Sequence, residues 1–151
     1  MKLAEALINR GNCQKNIAIL REKLIKYAKI QEGEKPAEDP GIILETLTDQ
    51  FTQLTSLMQR INKTNSMTLF DESRSIADTL AQRDVLNQKW NALHKTISAA
   101  TDLTERYSKK EIKMLSSIDV KEYQKNADET AKEYRELDLK IQEMNWKVDL
   151  L

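Results

Sequence analysis

Few residues of this chain can do chemistry, and their neighbours decide what kind. There is one histidine, His94, and one cysteine, Cys13. A di-metal carboxylate centre in a helical bundle needs two Glu-x-x-His pairs projecting inward. Asn91 stands three residues before His94, so that motif is absent and no metal ligand is assigned. A cysteine nucleophile needs a base and an electropositive setting. Cys13 falls instead on an apolar helical stripe with Ile17 and Leu20, the position of a small buried thiol. No phosphate-cradling glycine loop, dinucleotide fingerprint or zinc spacing occurs. The reading is therefore no catalytic residue and no cofactor, and it leans away from an enzyme.

One polar knot remains, the stretch INKTNSMT at 61–68. Arg60, Asn62, Asn65 and Arg74 could converge there on a ligand. The same residue types also turn a chain, because Asn and Ser side chains bond nearby backbone and Asn tolerates the left-handed region. After a helix ending near 61–63, Asn65 fits a left-handed C-cap, with Met67, Leu69 and Phe70 folding over the end. Chain reversal is the expectation, and the four polar residues are the candidate binding set. A second cluster, Arg21, Lys23, Lys26, Lys29, Arg106, Lys109, Lys110 and Lys113, could attract phosphate. Glu22, Glu32, Glu34, Glu38, Asp39, Asp102, Glu105 and Glu111 share the region, so it reads as a mixed solvated surface.

These residues sit in a chain built for helices. It has 151 residues, 32% charged and only 5% aromatic, with 3 Gly and 2 Pro, which disfavours sheets and their turns. Lys+Arg and Asp+Glu are 24 each, so no basic excess exists to neutralise a nucleic acid. The longest purely apolar run is Ile17 to Leu20, far short of the roughly 20 residues that span a bilayer. The N-terminal MKLAEALINRGN carries charges too early for a signal-peptide core. A single cysteine gives no internal disulfide. The expectation is a cytoplasmic protein that engages neither membrane nor nucleic acid.

Apolar residues recur with 3,4 spacing in four segments. The last runs Val120, Tyr123, Ala127, Thr130, Tyr134, Leu137, Ile141, Met144, Val148, Leu151; Asp119 is placed as N-cap, with Glu122 as capping-box partner. The second runs Leu44, Leu47, Phe51, Leu54, Met58, Ile61, started by Asp39–Pro40. The third runs Leu86, Trp90, Leu93, Ile97, Ala100, capped by Ser75 with Asp78, and the first includes Cys13, Ile17, Leu20, Leu24 and Tyr27. Helices are expected near 2–30, 40–64, 75–107 and 119–150, each roughly 35–50 Å long. Short connections make neighbours antiparallel, giving an all-α, up-down-up-down four-helix bundle with coiled-coil-like helices and a single domain over 1–151. Residues 112–118 are read as extended, pairing with AKIQE in a tiny two-stranded ribbon; a helical turn from a Ser108/Glu111 cap is the alternative. Trp146 lies off its seam, which suits either a subunit contact or a neighbouring helix of the same chain.

The pieces MKLAEAL, AKIQEGEKPAEDP, INKTNS, LAQRDVL, RYSKKEIKMLSSIDV and AKEYRELDLKIQEMNW together resemble the septicolysin-like proteins. That resemblance implies a bacterial cytosolic helical protein without assigned biochemistry, and it carries over no site residue. The cytolysin in that label finds no support in the residues, which show no membrane-inserting hairpin and no Trp-rich cysteine loop. Two function readings follow: a non-enzymatic helical protein acting by association, with itself as homo-oligomer or with a partner, or a small-ligand-binding or nucleotide-processing protein with a polar site at a loop or subunit interface.

Overall fold

The computed structural model describes residues 1–102 and 113–151. Four helices follow one another, α1 (Leu3–Lys26), α2 (Pro40–Met67), α3 (Ile76–Thr101) and α4 (Val120–Lys147). The class is all-α, as expected, and α1 packs on α2 as neighbours in a helical bundle do. The chain divides into two compact units, one of Met1–Leu69 with Glu143–Leu151, the other of Phe70–Gln142.

Local chemistry starts the helices. Asp39 Oδ1 accepts from the Gly41 amide at 2.7 Å while Pro40, which has no amide to satisfy, occupies the first turn. Ser75 and Asp78 form a full capping box. Asp119 Oδ1 accepts from the amides of Lys121 and Glu122, at 3.1 and 3.2 Å. The ends depart from the expected ones. α1 stops at Lys26, and the following turn carries Gly33 at φ 86, the left-handed region where a Cβ would be strained. α2 runs on through Met67, with Thr68 as an extended C-cap. No non-glycine residue among those described has positive φ, so Asn65 is not a left-handed cap but a helical residue. The expected end of the third helix, 102–107, and the alternative cap at Ser108/Glu111 lie largely outside the described residues.

In the first unit α1 and α2 form an antiparallel hairpin. Lys23 pairs with Glu38 at 2.9 Å near the turn, and Cys13 reaches Gln50 in the middle. The core gathers toward the open end, where Leu3, Ala6, Ile61 and Thr64 are each buried to 1% exposure or less. There the chain's first and last residues are strapped together. Lys2 and Asp149 form an isolated antiparallel bridge, Leu3 N donates to Val148 O at 2.9 Å, and Leu150 N donates to Met1 O at 2.9 Å. Lys2 Nζ adds a 3.0 Å ion pair with Asp149. Both partners are largely exposed, so backbone pairing, not charge, holds the strap.

The second unit holds α3 and most of α4. Arg83 Nη1 bonds Asp138 at 3.1 Å, joining the early part of α3 to the late part of α4. Ile76, Thr79, Ala127, Thr130 and Ile141 are its buried positions. Leu137 is only partly buried, so the weight of the α4 seam falls on Ile141, one turn on.

Among the described residues no β-strand forms, so the ribbon expected between 28–32 and 112–118 is absent there. The physical reason is local. Gln31–Glu34 close into a turn, and the Ile118 amide is spent on the Ser116 hydroxyl at 3.3 Å, leading directly into the Asp119 cap. Residue 112 itself lies outside the described residues.

Candidate functional site

Three sets of side chains compete for a functional role. The first is the INKTNSMT end. Thr64, with no exposure, sits at its centre. The Thr64 hydroxyl donates to Arg60 O at 2.8 Å and accepts from Leu151 N at 3.0 Å. Arg60 Nε donates to the Leu151 main-chain oxygen at 2.9 Å. The polar residues thus receive another segment of their own chain. Removing the Thr64 hydroxyl would take away the partner of the Leu151 amide, a loss of about 0.5–1.5 kcal/mol. Of the four candidate binding residues, Arg60, Asn62 and Asn65 lie on α2 in the first unit, with Asn62 exposed and Asn65 half-buried. Arg74 belongs to the second unit. Its guanidinium donates to Asp71 Oδ2, 2.8 Å from Nε, and to Gln82, and it lies over the Phe70 ring at 5.8 Å. The Arg74 hydrogen bond, with help from the Ser73 amide, holds the Asp71 carboxyl down at about 2, against an ordinary 3.8. A carboxylate depressed in the fold contributes its stability above the ordinary value. That contribution fades as pH falls from about 3.8 toward 2. Arg74 is a brace for the entry to α3.

The second set lines a groove of about 520 Å³ along the α1–α2 hairpin. Asn9, Asn12 and Asn16 face Gln50 and Gln53 across it. Cys13, buried at its floor, donates its thiol to Gln50 Oε1 at 3.3 Å. The amides named here are uncharged, so they offer hydrogen bonds without the field that would capture an ion. Among the described residues no group of three or more His, Cys, Asp and Glu gathers that could hold a metal. His94 is exposed and stacks on Trp90, ring centroids 4.9 Å apart and 8° from parallel. Trp146 is 56% exposed.

The third set was hidden inside the α2 seam. The fold splits that seam in two. Leu47 and Ile61 turn inward and are buried, while Leu44, Phe51 and Met58 are 53%, 50% and 45% exposed. The three stand at a seven-residue spacing, which keeps them on one side of the helix over about 21 Å. Beside them run Thr48, Thr52, Thr55 and Gln59, all exposed. Each of the three threonine hydroxyls donates to the carbonyl four residues back: Thr48 to Leu44 at 2.8 Å, Thr52 to Thr48 at 3.1 Å, and Thr55 to Phe51 at 2.9 Å. Their donors are already used, so covering this face strands none of them. Between Thr46 and Gln59 the only charge is Asp49, and helical spacing turns it to the far side from Phe51. In a chain that is 32% charged, this face is free of charge by position. The signal is present in the sequence as that run with a single charge, and periodicity alone does not reveal it.

Among the described residues no helix is long and apolar enough to cross a membrane. A family of unknown function, DUF6847, matches residues 10–150. The chain is also similar to a solved structure described as a functionally unknown conserved protein from Corynebacterium diphtheriae. The two share 42% identity with a TM-score of 0.95, over 100% of this chain and 99% of that one. No curated protein matches. These findings overturn the septicolysin-like resemblance, since the matching family is a different one. Two of the segments that carried the resemblance, LAQRDVL in α3 and AKEYRELDLKIQEMNW in α4, are stretches of charged helix. Their patterning is shared by many unrelated helical proteins.

Proposed function

The chain belongs to the DUF6847 family of unknown function, and on that premise we propose that it works by assembly, as a non-enzymatic helical homo-oligomer whose contact surface is the outer face of α2. The observation that carries this reading is the exposed Leu44–Phe51–Met58 stripe with its uncharged, self-satisfied flank. Interface centres are depleted in charge and enriched in aromatic residues and Met, because burying an unpaired charge costs more than the contact returns. The balance of 24 basic and 24 acidic residues leaves copies of the chain without net repulsion. It also offers no excess to phosphate, so nucleic acid is outside the proposal, as is the membrane. The setting is a cytoplasmic one.

Peroxide footprinting tests the covered face inside one molecule. A methionine in contact oxidises slowly, whereas an exposed one becomes sulfoxide readily. Met58 and Met67 lie on the same helix, 45% and 67% exposed in the single chain. In assembled protein at micromolar concentration, Met67 is expected to oxidise faster than Met58, and by a wider margin than in dilute protein, read by peptide mass spectrometry. Oxidation of the two at comparable rates would contradict a covered α2 face.

A further inference from the structure

We infer that the groove between α1 and α2 binds an extended, uncharged peptide segment by its main chain, with Asn12 and Asn16 on one wall and Gln50 and Gln53 on the other. The groove lies wholly within the first unit. Helical spacing sets Gln53 on the opposite side of α2 from Phe51, so the site is separate from the association face.

The α1 wall works against its own helix. Asn is a poor helix former, yet Asn9, Asn12 and Asn16 share one stripe of α1 and are all exposed. On α3 the exposed Asn91 satisfies itself by donating to Asn87 O at 3.0 Å. Asn12 and Asn16 make no such bond among the described residues, so both carboxamides stay open as donor and acceptor. The α2 wall is set from below. The buried Cys13 thiol donates to Gln50 Oε1 at 3.3 Å, and Gln53 Oε1 lies 4.0 Å from the same sulfur. With both oxygens turned to the thiol, the two NH2 groups are left to donate into the groove.

Spacing and charge name the ligand. Asn12 and Asn16 are four residues apart, a rise of about 6 Å along the helix. An extended chain repeats every two residues, about 6.6–6.8 Å. Residues two apart in such a chain turn their N–H and C=O to the same edge, and one carboxamide can accept from the N–H while donating to the C=O. Asn12 and Asn16 can therefore clamp alternate residues, while the carbonyl between them faces Gln50 and Gln53. Among the described residues that line the groove none is charged or aromatic, so it matches neither an ion nor a sugar that stacks on a ring. Its volume of about 520 Å³ is in the range of small-ligand sites.

Random heptapeptides displayed on phage, selected against the full chain, supply the probe, and the enriched sequences are made with capped ends. They are expected to share an uncharged central triplet. The Asn12→Ala/Asn16→Ala double variant is expected to raise their dissociation constant about tenfold or more, read by fluorescence polarisation, with the helical circular dichroism unchanged. Gln53→Ala, at a single exposed position, is expected to weaken binding as well. Replacing the amides of the triplet by esters, one at a time, is expected to weaken binding at alternate positions. Equal affinity of ester and amide peptides, or of the wild type and both variants, would overturn the main-chain clamp. A selection that enriches no peptide would overturn it too. Maltotriose that shifts the side-chain amide NMR signals of Asn12 and Asn16 where the peptides do not would give the groove to a saccharide and overturn the proposal.

Discussion

Ile61→Asp is expected to unfold the protein at ordinary temperature. Ile61 is 1% exposed, in the part of the first unit where Leu3, Ala6 and Thr64 are also fully enclosed. A carboxylate there meets no cation, because Arg60 on the same turn is directed to the Leu151 oxygen. Burying an unpaired charge is among the few substitutions that cost about 4–5 kcal/mol or more, against a total stability of about 5–15 kcal/mol. Loss of the helical circular dichroism signal, or a melting temperature lowered by tens of degrees, is the expected result. Ile61→Val, which removes one methylene, should cost about 0.5–1.5 kcal/mol and keep the fold. An Ile61→Asp protein that melts with the wild type would remove Ile61 from the core.

Phe51→Lys is expected to do the opposite, sparing the fold and ending the assembly. Phe51 is 50% exposed in the single chain, so a lysine there stays in water and the hairpin loses little. In the assembled state the same ammonium would be buried in the contact, with Asp49 turned away. Central aromatic anchors of interfaces are worth at least about 2 kcal/mol, a factor of ~30 in the dissociation constant, and the buried charge adds to that. The expected outcome is a helical monomer at concentrations where the wild type is assembled, read by light scattering with circular dichroism as the folding control. A variant that keeps the wild-type mass would exclude Phe51 from the contact.

What could be read from the sequence follows from the range of the forces involved. Asp39–Pro40 and Ser75–Asp78 are legible because a cap is made within three residues by side chains whose chemistry is fixed. The 3,4 repeat of α2 is legible for the same reason, as a statement about one helix. Its division into buried Leu47 and Ile61 and exposed Leu44, Phe51 and Met58 is not. Periodicity marks where apolar residues recur, whereas tertiary packing decides which half of the stripe is covered. Local turn chemistry around Asn65 predicts an end that α2 runs past, to Met67. The helix continues because Thr64 is enclosed and bonded to Leu151, a partner 87 residues away, and such a contact leaves no mark on the local sequence. The ribbon expected at 112–118 failed similarly, because a backbone pairing needs a free partner edge, and Gln31–Glu34 had already closed on themselves.

The four polar residues first singled out illustrate a general ambiguity of Asn and Arg. They are the residues of ligand sites and equally the residues that satisfy the chain's own exposed backbone. Arg60 and Arg74 both fall in the second group here, one on Leu151 and the other on Asp71 and Gln82. An apolar, uncharged exposed face has no comparable structural duty, since water alone would favour polar residues there. That contrast is why the weight of the functional reading moves from the polar knot to α2.

Sedimentation equilibrium of the wild-type chain over a range of micromolar concentrations tests the central claim most directly. Assembly through the α2 face predicts a reversible approach to twice 17.5 kDa as concentration rises. A mass that stays at 17.5 kDa up to the highest concentration would contradict it.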